Sequence, residues 1–156
     1  MTKREIEILR ELARRKMEIA ADPQNEINKK LWTDTNDLKM SIPPIYINEV
    51  CWNEMNVNDE LTLQTDDPFC RELEDQMRKE IYSWNHFAGN MVVSPYMECP
   101  IVVTGDNFGI SEDVDIIQTD STSDVVSRHF HVQIKDEQDI CKIKEPRVEI
   151  DREKTE

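Results

Sequence analysis

Apolar residues at the start of the chain recur at helical spacing. Ile6, Leu9, Ala13, Met17 and Ala20 step by three or four, which predicts a helix over residues 2–21 with one apolar stripe. Thr2 and Glu5 stand at the spacing of a capping box at its start. Asp22-Pro23 interrupts the pattern. A second helix is predicted from Asn25 to about Asn36, carrying Ile27, Leu31 and Trp32. The stripe of the first helix must bury against something, either the chain's own sheet or a second subunit.

Pro43-Pro44 then opens a predicted strand, Ile45 to Val50, because proline is tolerated where a strand starts and not in its middle. Residues 51–66 lack a clear period and read as loop with one helical turn. Asp67 caps the strongest helix of the chain, with Pro68 at the first helical position, where its missing N–H costs nothing. Phe69, Leu73, Met77, Ile81, Trp84 and Ala88 form its continuous face, and Gly89-Asn90 is its stop signal. Short apolar runs follow at Met91–Val93 and Ile101–Val103, the second ending on the turn signal Gly105-Asp106. Val114–Gln118 and Val125–Ile134 are further strand candidates. In the latter, Val126, Phe130, Val132 and Ile134 share one face, with Arg128 the exception, and Val125, Ser127, His129, His131 and Gln133 share the other. Asp136–Lys142 reads as a short helix that Pro146 stops. This order predicts a mixed α/β fold: a helical segment over residues 1–40, then a mixed segment over 41–156 with an antiparallel hairpin near 113–134.

Charge narrows the function classes. Nineteen Lys+Arg against thirty-three Asp+Glu give −14, which repels phosphate backbones and anionic lipid and argues against nucleic acid as a partner. No apolar run approaches the ~20 residues of a membrane span, and the N-terminus lacks the apolar stretch of a secretion signal. Cys51, Cys70, Cys99 and Cys141 contain no Cys-x-x-Cys, so their spacing supports neither a zinc nor a thiol-redox framework. Dispersed cysteines without an export signal fit reduced thiols in a cytoplasmic setting.

Three places could carry chemistry. Asn48, Glu49, Trp52 and Glu54 cluster at the end of the first predicted strand, and ligands of parallel α/β barrels bind at such ends. There Glu49 or Glu54 would act as acid, base or hydrogen-bond acceptor, and Asn48 and Trp52 would contact substrate. The plainer alternative makes Glu54 a surface turn and Trp52 a packing residue. Asp106, between Gly105 and Gly109, is the loop candidate, since glycines permit close approach of a ligand; a plain turn reads the same way. His129 and His131 lie two apart on a strand and would point to one face, an arrangement open to substrate or metal, but no third ligand is evident and no metal site is assigned. His86, near the end of the strong helix, suits the favourable position of a cation at a helix C-terminus.

The stretches Pro43-Pro44-Ile45-Tyr46-Ile47-Asn48-Glu49-Val50-Cys51-Trp52-Asn53-Glu54-Met55, Asp67-Pro68-Phe69-Cys70-Arg71 and Gly105-Asp106-Asn107-Phe108-Gly109 resemble the N-terminal portion of uroporphyrinogen decarboxylase-like proteins. That superfamily includes haem-pathway decarboxylases and corrinoid-dependent methyltransferases. The resemblance spans nearly the whole chain but only the first third to half of a family member. It implies the opening of a (β/α)₈ barrel, incomplete at 156 residues because the full barrel needs about 250. It implies either decarboxylation of tetrapyrrole acetates or methyl transfer between a corrinoid protein and a small acceptor. The decarboxylases carry an arginine-rich segment after the first strand, whereas Asn48–Asn53 has no arginine here. Paired cations are what a polycarboxylate needs, so the methyltransferase branch is the closer resemblance. Its zinc ligands lie in the later half of the barrel, and none is carried over to this chain.

The leading expectation is therefore an N-terminal segment of a methyltransferase-type enzyme, inactive without its C-terminal half. A C-terminal barrel-half chain and a corrinoid protein would be its partners, and complete relatives would use zinc. The alternative is a non-catalytic α+β interaction module that forms a homodimer or docks a partner through its N-terminal helices. A small metal-binding protein using His129 and His131 is the third reading.

Overall fold

A computed structural model describes residues 1–39, 42–98, 101–105, 107–121 and 125–155. The chain is a mixture of helix and strand in two compact units, Met1–Met97 and Glu98–Glu156. The strand pairs are short and antiparallel.

The described residues of the first unit form four helices: α1 (Lys3–Ala20), α2 (Pro23–Asn36), α3 (Trp52–Met55) and α4 (Pro68–His86). The caps expected of α1 and α4 are present. Thr2 Oγ1 accepts from the Glu5 amide, and Asp67 Oδ1 accepts from the Cys70 amide. Helix α1 packs against α4, but not along the expected stripe. Ala13 and Met17 are exposed, and the buried positions are Glu5, Leu12, Lys16 and Ala20. The face is rotated because two charged side chains find partners inward. Glu5 Oε1 accepts from the Asp66 and Asp67 amides at 3.0 and 2.9 Å, and Lys16 pairs with Glu80 of α4. These backbone donors, Asp67 first, then Thr2 and Asp66, hold the Glu5 carboxyl down at about 2.

Helix α4 does the same on its own side. Its buried residues are Cys70, Glu74 and Met77, while Phe69 is exposed. Glu74 accepts from the Gln64 and Thr65 amides and from Thr65 Oγ1, and Arg78 Nε donates to it at 2.7 Å. Burial pushes this carboxyl up, but the Arg78, Thr65 and Gln64 bonds outweigh it and hold the group below the usual range. Arg71 and Arg78 donate to the Thr65 and Glu60 carbonyls, so the loop before α4 is fastened from the helix.

The strand expected at Ile45–Val50 does not form, nor does the one at Met91–Val93. Where the two segments approach, Ile45 pairs with Asn90, the residue before the second run: the Asn90 amide donates to the Ile45 carbonyl, and the Ile45 amide to Asn90 Oδ1. A ladder cannot extend because α2 has taken the backbone of the second run. Asn25 Nδ2 donates to the Val93 carbonyl while its Oδ1 accepts from the Val93 amide, both at 2.9 Å. Asn28 Nδ2 reaches the Met91 carbonyl, and Trp32 Nε1 the Asn90 carbonyl. Three helical side chains therefore do what a neighbouring strand would, which satisfies groups that are costly to bury unpaired. Helix α4 also stops earlier than the glycine signal, at His86. Gly89 instead permits close approach: a Cβ there would lie 3.1 Å from the Ile45 carbonyl oxygen.

The described residues of the second unit form two small sheets. Strand β1 (Val103–Thr104) pairs with β4 (Glu149–Ile150), and β2 (Val114–Ile117) with β3 (Ser127–Phe130). The β2–β3 pair is the antiparallel hairpin the sequence predicts. A 3₁₀ helix (Glu137–Lys142), capped by Asp136, stands where a short helix is expected, and α5 (Arg152–Thr155) follows β4. β3 ends at Phe130, short of the expected Ile134, and the apolar face expected of the 125–134 run is not covered: Phe130, Val132 and Ile134 are exposed. No described residue of this unit is fully buried.

Candidate functional site

Three of the residues singled out from the sequence meet. Asn48, Glu49 and Trp52 line a cleft of about 170 Å³ in the first unit, closed on the other side by Lys79, Glu80 and Ser83 of α4. Their placement follows from the Ile45–Asn90 bridge, which sets the 45–50 segment, and from α3, which swings Trp52 toward α4. Trp52 lies 6.1 Å from Tyr82, edge to face, and 6.1 Å from Phe87, which also lines the cleft. Such ring pairs contribute about 0.5–1.5 kcal/mol beyond area burial.

The charges around the cleft are sorted. Lys79 Nζ is 5.7 Å from the Trp52 ring centroid and 2.7 Å from Asp75 Oδ2. Glu80 is held by Lys16. The Ser83 hydroxyl donates back to the Lys79 carbonyl at 2.8 Å, so its proton is engaged within the helix. Glu49 is different. Its backbone sits in the left-handed region at φ 56, which costs an L-residue about 1–2 kcal/mol. Its side chain is exposed and, like that of Asn48, has no hydrogen-bond partner among the described residues.

The other sequence candidates fall elsewhere. Glu54 is on α3, exposed, and does not line the cleft. Asp106 lies outside the described residues, as does Cys99. The glycines flanking Asp106 serve the chain itself. Gly105 has φ 72, and a Cβ there would be 2.2 Å from the Arg147 carbonyl oxygen; Gly109 has φ 76 and abuts Lys144. Close approach is thus to the chain's own Lys144–Arg147 segment. His129 is on β3 and His131 just past its end, their rings edge to face at 5.2 Å, with His131 Nε2 2.9 Å from Asp115 Oδ2. Among the described residues no three His, Cys, Asp or Glu side chains converge as a metal ion requires, so no step is assigned through zinc. His86, in the last turn of α4, contacts Glu60 at 3.0 Å and stacks on Tyr82. Buried Cys70 has its thiol pushed up, by desolvation first and then by Asp67.

Sequence reading missed Lys79, Glu80, Ser83 and Phe87. Lys79, Glu80 and Ser83 flank the apolar stripe of α4, and a helical wheel assigns them to solvent, while Phe87 lies just past the helix end. The pairing of Tyr82 with Phe87 across the helix end was the available signal for an aromatic cluster. No described helix is long and apolar enough to cross a membrane. Comparison with protein-family models, with curated proteins and with solved structures gave no match in any of the three.

Proposed function

We propose that the chain belongs to a uroporphyrinogen decarboxylase-like (β/α)₈-barrel enzyme of the corrinoid-dependent methyltransferase type. In this reading the Asn48–Trp52 cleft is one wall of its small-molecule site. The observation that carries the reading is the meeting of Asn48, Glu49 and Trp52 at one cleft, since these residues come from the stretch that bears the resemblance. The part of the site that this wall encloses measures about 170 Å³. Among the described residues no arginine lines the cleft, and the one lysine that does is paired with Asp75, so a polycarboxylate finds no bidentate partner there. Asn48 would orient the acceptor, Glu49 would accept its proton or hydrogen bond, and Trp52 would exclude water. The methyl group itself would come from a separate corrinoid protein, with the C-terminal half of the barrel as the second partner and the cytoplasm as the setting.

The test mixes this chain with a chain carrying the C-terminal barrel half and a methylated corrinoid protein, following the methyl–cobalt absorbance. Acceptor-dependent demethylation, slowed about a hundredfold by Trp52→Ala, is the expected result. Failure of the two chains to associate at micromolar concentration overturns it. A second reading, a non-catalytic module dimerising through its N-terminal helices, is favoured by the exposure of Met17 on α1 and Ile27 on α2. Light scattering that finds a monomer removes that reading.

A further inference from the structure

We infer that the cleft between residues 45–52 and α4 binds a small organic ammonium ion, held by the Glu49 carboxylate and the Trp52 ring. The inference rests on the reading of that cleft as a ligand site and adds the charge class of what enters it. Aromatic ring faces attract cations. Trp52, Phe87 and Tyr46 all line the cleft. The Trp52 ring already demonstrates the property, because the Lys79 ammonium stands 5.7 Å from its centroid.

The charge balance selects the same class. Lys79 is matched by Asp75, and Glu80 by Lys16, so neither pair leaves a net charge for a ligand. Among the described residues the remaining charged group lining the cleft is Glu49, whose carboxylate has no partner there. An anion would meet Glu49 unfavourably and would have to draw Lys79 off Asp75. A neutral ligand would gain nothing from the Glu49 carboxylate. An alkylammonium ion places its charge on Glu49 and its methyl groups against Trp52 and Ile47. The −14 of the whole chain adds a long-range field of the right sign.

The test compares three probes of one shape: choline, 3,3-dimethylbutan-1-ol and 3,3-dimethylbutanoate. Each is titrated into the full ¹⁵N-labelled chain while the Trp52 indole N–H is followed, its signal assigned with Trp52→Phe. Choline is expected to shift it saturably and to bind about tenfold more tightly than the alcohol. Glu49→Gln should remove most of that preference while leaving the thermal transition in place, since the residue is exposed. If the alcohol or the carboxylate binds as well as choline, or Glu49→Gln keeps the full preference, the ammonium assignment is overturned and the cleft stands as a site for another class. If none of the three moves the Trp52 signal, the cleft reading falls with it.

Discussion

The two units of this chain solve the same problem by different means. In Met1–Met97 the buried residues include Glu5, Lys16, Asn25, Asn28, Thr65 and Glu74 beside Leu12, Ala20, Cys70, Met77 and Val93. Each buried polar group has a partner, and no buried side-chain polar atom among the described residues is left unsatisfied. In Glu98–Glu156 no described residue is fully buried, and order rests on two short ladders, a 3₁₀ turn and glycine-tight loops. A side-chain network shielded from water is strongly weighted by its low dielectric surroundings, for better when complete and for worse when broken. Exposed ladders and ion pairs exchange with water at little cost. Sensitivity to single substitutions should therefore differ sharply between the units.

The largest contrast is expected at Glu74. Glu74→Ala strands Arg78 and the Gln64 and Thr65 donors, and should cost the first unit about 3–5 kcal/mol in denaturant unfolding. A loss below ~1 kcal/mol would show that the network is not what stabilises this unit. Asn25→Ala comes next, at about 2–3 kcal/mol, because it unpairs both backbone groups of buried Val93. In the second unit Gly105→Ala meets the Arg147 carbonyl at φ 72, and should cost about 1–2 kcal/mol. The change should be read as faster hydrogen exchange at the β1–β4 amides, with the first unit's amides unmoved.

Acid should act on the first unit through Glu5. Glu5 titrates at about 2 when folded, below its ordinary 4.5. Its contribution is complete above the ordinary value and is lost as pH falls toward about 2. Thermal melts of the first unit should therefore weaken over that window, and Glu5→Gln should flatten the slope. The smallest effect belongs to the exposed Arg128–Glu112 pair, 3.6 Å apart: Glu112→Gln should shift stability by no more than about 0.5 kcal/mol.

Helices were legible because their signals are local. The caps at Thr2 and Asp67, the proline at Pro68 and the β2–β3 hairpin all sit near the expected places. The buried face of α1 was not legible, since apolar spacing favours Ala13 and Met17, whereas Glu5 and Lys16 turn inward for partners some sixty residues away. The expected strands at Ile45–Val50 and Met91–Val93 failed for a related reason: their β-like composition says nothing of whether α2 will take the backbone groups first. The candidate site was half legible. Asn48, Glu49 and Trp52 carried a resemblance, but the α4 wall of the cleft consists of residues whose local pattern is that of a solvated face.

The way α2 holds residues 90–93 also sets which positions can vary. Asn25, Asn28 and Trp32 grip main-chain atoms, which every residue type except proline presents alike. A saturation library should therefore accept many side chains at half-exposed Met91 and few at Asn25 or Asn28, so that drift in this protein would be written in the apolar run while the polar helix stays fixed.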